Sequence, residues 1–242
     1  YLNRLEQLID LESLKTIAPS VAVDSMAGAG GAILSSFLGR LGLRVVPVDN
    51  TPVPDFRGRL PEPIEANLAP LAAVLAKDPT LVLGLATDGD ADRCGVMLEG
   101  GAWMSAQETI LLLTDHLLRA RKEEGDVVKT SSVTDKVKRL AEGEGRVVHD
   151  VQVGFKHIAE KMIRGPVAIG CEESGGFGYG IHIPERDGIL SCLLMLELLA
   201  RTGSRSLAKV RKAIADRFGA IHYRRIDVAY ERTDRTSVLP AL

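Results

Sequence analysis

The sequence predicts an α/β protein built as two consecutive three-layer α/β domains with mixed, mainly parallel sheets. Three observations carry that expectation. Short runs rich in Val, Leu and Ile, of the kind that form buried strands, recur along the chain. Amphipathic stretches of roughly 10–15 residues separate them, which is the spacing of βαβ crossovers. A glycine turn at Gly100–Gly101 then divides the alternation into two series.

The chain opens on a helical pattern through Leu2, Leu5, Leu8, Ile9 and Leu11. Val21–Asp24 reads as a buried strand, Ala32–Leu41 as a helix closed by Gly42, and Leu43–Val48 as a second strand. Between Asn50 and Pro63, the prolines at 52, 54, 61 and 63 exclude regular structure over most of the connection. A helix over Ile64–Ala76 precedes strands at Leu81–Ala86 and Gly95–Leu98. The second series predicts helices over Gln107–Lys122, Thr134–Glu142, Phe155–Ile163, Asp187–Arg201 and Ser206–Phe218. Its strands are expected at Asp126–Lys129, Arg146–Asp150, Val167–Gly170 and Ile221–Val228. The expected division is therefore 1–102, 103–229 and a charged, proline-broken linker over 230–242.

With 30 Lys+Arg against 32 Asp+Glu the net charge is -2, so neither nucleic acid nor a membrane surface is an expected partner. Hydrophobic residues at 45% and charged residues at 26% describe a chain that buries a core. No apolar run reaches the roughly 18–20 residues of a membrane span. The longest, Ile189 to Ala200, is interrupted by Ser191 and Glu197. Cys94, Cys171 and Cys192 are scattered, without metal-ligand spacing, which fits a reducing compartment and hence the cytoplasm. The start at Tyr1, already inside a helical pattern, leads us to expect a piece of a longer polypeptide.

The most informative segment is Thr87-Asp88-Gly89-Asp90-Ala91-Asp92-Arg93. Three carboxylates at alternate positions directly follow an apolar strand, so a tight turn can converge their oxygens on one hard divalent cation. Ligands of open α/β sheets also gather at the carboxyl ends of strands. A solvated acidic turn is the alternative, but it leaves three like charges unrelieved. An EF-hand-like frame fits Asp88, Asp90, Asp92 and Glu99, yet Arg93 stands where that loop needs glycine and the flanks read as strands.

Cys171-Glu172-Glu173-Ser174-Gly175-Gly176 places carboxylates and a hydroxyl on a glycine-rich loop. Such groups suit vicinal sugar hydroxyls, which donate and accept hydrogen bonds; a plain polar turn is the alternative. Gly154-Phe155-Lys156-His157 opens a helix, whose N–H groups and lysine could attract an anion or simply face water. Asp24 through Gly31 joins a strand to a helix, but Gly28-x-Gly30 followed by Ile33 lacks the third glycine of a dinucleotide loop. A structural turn is the expected reading there.

In order, these segments resemble the second and third domains of the α-D-phosphohexomutase family (phosphoglucomutase and phosphomannomutase) over nearly the whole chain. Residues Thr87–Arg93 look like its magnesium loop. Val23–Gly31 and Pro61-Glu62-Pro63 resemble its second domain; Val128-Lys129-Thr130, Val153–Ile158 and Glu172–Gly176 resemble its third. The run His182-Ile183-Pro184-Glu185-Arg186-Asp187-Gly188-Ile189 looks closest to glucose-type members.

The resemblance implies a phosphoserine that donates its phosphoryl group to glucose 1-phosphate or glucose 6-phosphate, with glucose 1,6-bisphosphate as the intermediate that reorients and returns the other group. It implies Mg²⁺ held by Asp88, Asp90 and Asp92, with Arg93 on the phosphoryl group. It further implies Glu172 and Ser174 on the sugar hydroxyls, and Lys156 as a substrate contact and candidate proton-transfer group. Free lysine titrates near 10.4, so that last duty requires a lowered value.

Some positions depart from the family pattern. No Ser-His pair supplies the phosphoserine context, and Arg235-Thr236-Ser237 does not match the phosphate loop of the fourth domain. Cys171 stands where a glycine is usual, Gly176 where some members have His, and Val151 replaces a common Thr. The expectation is a central mutase fragment, inactive alone, whose partner domains lie elsewhere. A stand-alone cation- or phosphosugar-binding module, another phosphohexomutase specificity and a dinucleotide enzyme are its rivals.

Overall fold

The computed structural model describes residues 1–226. The first unit runs through α1 (Leu2–Leu8), α2 (Leu11–Ile17), β1 (Val21–Asp24), α3 (Ile33–Arg40), β2 (Val45–Val48), α4 (Ala69–Lys77), β3 (Leu83–Thr87), β4 (Cys94–Leu98) and β5 (Trp103–Met104). Its five strands lie in the order β2-β1-β3-β4-β5. Strand β1 is parallel to both neighbours, and β3, β4 and β5 then alternate in direction.

The second unit comprises α5 (Ala106–Asp115), β6 (Asp126–Thr130), α6 (Asp135–Gly143), β7 (Val148–Val151), α7 (Phe155–Arg164), β8 (Val167–Cys171), β9 (Phe177–Tyr179), α8 (Gly188–Arg201) and α9 (Leu207–Phe218). Helix α5 continues into a π-helical turn over His116–Ala120. The sheet order is β7-β6-β8-β9, with β6 parallel to β7 and β8, and β9 antiparallel.

Strand alternation sorts the core. Val21, Val23, Leu83, Leu85 and Val96 face the cluster that contains α3 and α8, while Ala22, Ala86 and Met97 face Leu71 and Leu75 of α4. Gly84 is required by that second face: a Cβ there would lie 2.7 Å from Leu75 Cδ1. In the other sheet Val127 and Ile169 join the large cluster, and Val128 meets Phe155 and Ile158 of α7. Helix α8 is buried from Gly188 to Ala200 because it lies between the units, against α2, β3, β4 and α5. Its one acidic residue, Glu197, is fully buried and matched by His116 (3.0 Å), Arg121 (2.8 Å), Arg201 (3.3 Å) and the Asp10 amide (2.9 Å). Among the described residues no helix is long and apolar enough to cross a membrane.

Several expected elements move. The helix expected over Ile64–Ala76 begins only at Ala69, where Pro70 fits a first turn, after a separate 3-10 turn at Glu65–Asn67. Strands β5 and β9 have no counterpart among the expected elements, because two or three residues carry no readable alternation. The final strand expected over Ile221–Val228 does not form at 221–226. Its last two residues, the linker at 230–242 and Arg235-Thr236-Ser237 lie outside the described residues.

Candidate functional site

The aspartate loop joins β3 to β4 and is braced from both sides. The Gly89 amide donates to Pro61 O (3.1 Å), and the Ala29 amide donates to Gly89 O (2.8 Å). A Cβ on Gly28 would sit 2.6 Å from Gly89 O, so the glycine-rich turn after β1 is shaped to touch this loop. The amides of Asp24–Gly31 accordingly serve the fold: Met26 N–H goes to Asp24 Oδ1 (2.7 Å) and Ala27 N–H to Asp49 O (2.9 Å). Asp24 itself is fully buried against Arg59, at 3.0 and 3.1 Å.

Within the loop, Asp88 is buried, Asp92 half-buried and Asp90 exposed, and one oxygen from each lies within 4.8 Å of the others. Arg93 closes the turn: its Nε meets Asp88 Oδ2 at 2.5 Å and its backbone N–H meets Asp88 Oδ1 at 3.0 Å. Its Nη1 reaches Glu62 at 3.1 Å. Burial, together with repulsion from Asp88 and Asp90, pushes the Asp92 carboxyl up to about 6 against the pull of Arg186. Three converging carboxylates, all hard oxygen donors with one held reluctant to ionise, match a divalent cation such as Mg²⁺ in charge and in ligand type.

The second loop follows β8. Its turn is closed by Glu172 N–H to Gly176 O (3.0 Å) and Gly175 N–H to Glu172 O (3.2 Å). Glu172 is buried and accepts the Gly154 amide at 3.0 Å, so the start of α7 is tied to this loop. Burial raises its carboxyl above the ordinary range, opposed by that amide and by Arg186. Ser174 is half-buried, and Glu173 Oε2 is buried without a hydrogen-bond partner. Lys156 stands exposed in the first turn of α7.

The two loops are docked on each other although 79 positions separate Arg93 from Glu172 (172 − 93). The Cys94 amide donates to Gly175 O at 2.9 Å, and Arg93 and Gly176 form an antiparallel bridge. Arg186 then spans both loops, at 2.6 Å from Asp92 and 3.6 Å from Glu172. The sequence alone does not single out Arg186 or Glu62 for a role. A signal for the first is its place one residue before Asp187, the cap of α8.

Profiles of known families match along the chain: phosphoglucomutase/phosphomannomutase alpha/beta/alpha domain II over residues 1–101, and alpha/beta/alpha domain III over residues 105–218. The chain belongs to the α-D-phosphohexomutase family of isomerases, as its second and third domains. A phosphoglucomutase/phosphomannomutase from Thermococcus kodakarensis is 31% identical over 205 residues, covering 85% of this chain and 44% of its own. The crystal structure of a candidate phosphomannomutase from Thermus thermophilus superposes with a TM-score of 0.83 at 42% identity, covering 90% of this chain and 50% of that one. An Aspergillus fumigatus N-acetylphosphoglucosamine mutase, in complex with GlcNAc-6P and magnesium, shares the fold with a TM-score of 0.65 at 18% identity, covering 88% and 52%. The chain thus spans about half the length of these relatives.

Proposed function

We propose that this chain provides the metal loop and the sugar loop of a Mg²⁺-dependent phosphoglucomutase that interconverts glucose 1-phosphate and glucose 6-phosphate. The observation that carries the reading is the docking of the two loops: Cys94 N–H on Gly175 O at 2.9 Å brings a cation-type carboxylate set beside a buried carboxylate and a hydroxyl. In this reading the phosphoserine and the phosphate loop belong to domains outside these residues, and the fragment alone is inactive. Asp88, Asp90 and Asp92 hold the cation, which when bound offsets negative charge on the transferring phosphoryl group.

The chain's own groups do the remaining work. Arg93, fixed by Asp88 and Glu62, presents a permanently charged guanidinium toward the phosphoryl group. Glu172 and Ser174 orient the sugar by accepting from and donating to its hydroxyls. Lys156 binds the substrate and is the candidate for moving a proton at its Nζ. Glucose 1,6-bisphosphate is the bound intermediate that must reorient between the two transfers. The buried, free thiols of Cys94, Cys171 and Cys192 support a cytoplasmic setting.

The preference for glucose rests on His182–Ile189, which packs against the aspartate loop through Arg186, 2.6 Å from Asp92, and the Gly188 amide, which donates to Ala91 O at 3.0 Å. It is tested by kcat/KM for glucose 1-phosphate against mannose 1-phosphate in the native polypeptide. Glucose should win by roughly tenfold or more, the discrimination a site reaches through one well-placed contact. Equal values would refute the preference while leaving the mutase reading intact.

A further inference from the structure

Arg186 is held in an unusual place for a guanidinium that no step above requires. Its backbone neighbours are fixed, since Asp187 N–H donates to Phe177 O (3.1 Å) and Gly188 N–H donates to Ala91 O (3.0 Å). A Cβ on Gly188 would lie 2.4 Å from Arg93 O, so this segment is pressed against the aspartate loop. From there the side chain crosses Gly176, where a Cβ would come within 2.5 Å of Arg186 Cδ. Its guanidinium carbon stands 5.5 Å from the Phe155 ring centroid. Its Nε is buried without a hydrogen-bond partner, the Glu185 carboxylate lying 3.6 Å away. The tip reaches Asp92 Oδ2 at 2.6 Å, with Glu172 behind it at 3.6 Å.

Arg93 is committed to Asp88 and Glu62, lying 3.9 Å from Asp92. Arg186 is therefore the cation that most directly neutralises Asp92. An arginine cannot shed its proton to make way for a metal, so it must either move or repel. One short contact to Asp92, two longer ones to Glu172 and Glu185 and an Nε without a hydrogen bond describe a group that is not locked by a full set of bonds.

We infer that Arg186 is a positioning residue, a built-in cation that competes with the divalent metal for Asp92 and sets the affinity of the aspartate loop. Gly176 is the matching half of the device, because the absence of a side chain there gives the arginine stem its path. The inference rests on the metal assignment proposed above, and goes beyond it in making that affinity adjustable from outside the ligand set.

The test is a Mn²⁺ titration of the native polypeptide that carries these 242 residues at about pH 7.5, following free Mn²⁺ by electron paramagnetic resonance, with circular dichroism to confirm folding. Arg186→Met should bind Mn²⁺ about three- to tenfold more tightly than the wild type, as expected for removal of one partly screened charge from a ligand. Gly176→Ala, which displaces the stem while leaving the arginine in the sequence, should shift affinity in the same direction. Arg186→Lys, which keeps the charge, should return toward the wild-type value; a purely structural role for Arg186 would move none of these. Unchanged or weaker Mn²⁺ binding by folded Arg186→Met and Gly176→Ala would overturn the inference while the metal assignment stands. Absence of Mn²⁺ binding by the wild type would overturn both.

Discussion

Gly175→Ala should be costly for a reason that can be separated from ordinary glycine strain. Gly175 has φ +92°, and a Cβ there would lie 2.7 Å from Cys94 O. That oxygen belongs to the first residue of β4, which is paired with Thr87 of β3, so it cannot retreat without disturbing the central ladder. The left-handed conformation alone costs an alanine about 1–2 kcal/mol. The enforced contact adds a strain of about 1–3 kcal/mol, as overpacking of a tight site does. The sum is about 3 kcal/mol, and at about 2–4 °C per kcal/mol for a chain of this size Tm should fall by about 6–12 °C. Gly203 provides the control, with φ +65° and nothing within 4 Å of its Cβ position. Gly203→Ala should cost about 1 kcal/mol and about 2–4 °C. Calorimetry of the two variants measures the docking of one loop on the other by difference. Equal losses would refute the claim that Gly175 is pressed against β4.

Three further outcomes follow from the same structure. Glu197→Ala leaves Arg121 and Arg201 facing an empty buried site and should destabilise the chain by about 3–5 kcal/mol in denaturant unfolding. Hydrogen bonds from His116 and the Asp10 amide, with Arg121 close by, outweigh burial and hold the Glu197 carboxyl below its ordinary value. Its contribution is therefore present above the unfolded-state value near pH 4.3 and is lost as pH falls through the lower folded-state value. The stability gap between wild type and Glu197→Gln should shrink on acidification below about pH 4.3, and a gap that widens there would contradict the assignment. NAD should leave Tm unchanged, because the amides of Met26, Ala27 and Ala29 are already spent on Asp24, Asp49 and Gly89. A saturable rise in Tm would reopen the dinucleotide reading.

The alternation of apolar runs and amphipathic stretches is enough to place most of the elements, since strands such as Val21–Asp24 and helices such as Phe155–Arg164 bury continuous faces. The loop proposed to hold the metal is legible because Asp88, Asp90 and Asp92 sit at a fixed spacing after a strand. Its contact with the loop after β8 is not. It depends on the Cys94–Gly175 hydrogen bond and the Arg93–Gly176 bridge, which join distant segments and leave no periodic trace. Arg186 is equally hidden, because its path is set by the absence of a side chain at Gly176. The apolar length of α8 marks it as buried, but not as buried between the units, against β3 and β4 as well as α5. Strands β5 and β9 depend on pairing with β4 and β8, which no local pattern announces.

The most direct measurement of the central claim is the conversion of glucose 1-phosphate to glucose 6-phosphate by the native polypeptide that carries these 242 residues, primed with a trace of glucose 1,6-bisphosphate. It should be run with Mg²⁺, after chelation, and in the Asp90→Asn variant. Asp90 is exposed, so its replacement spares the fold and isolates the chemistry. The account predicts turnover that vanishes on chelation, returns with Mg²⁺, and drops about a hundredfold or more in Asp90→Asn, a loss of about 2.7 kcal/mol in transition-state stabilisation. Near-normal turnover by Asp90→Asn, or by the chelated wild type, would contradict it.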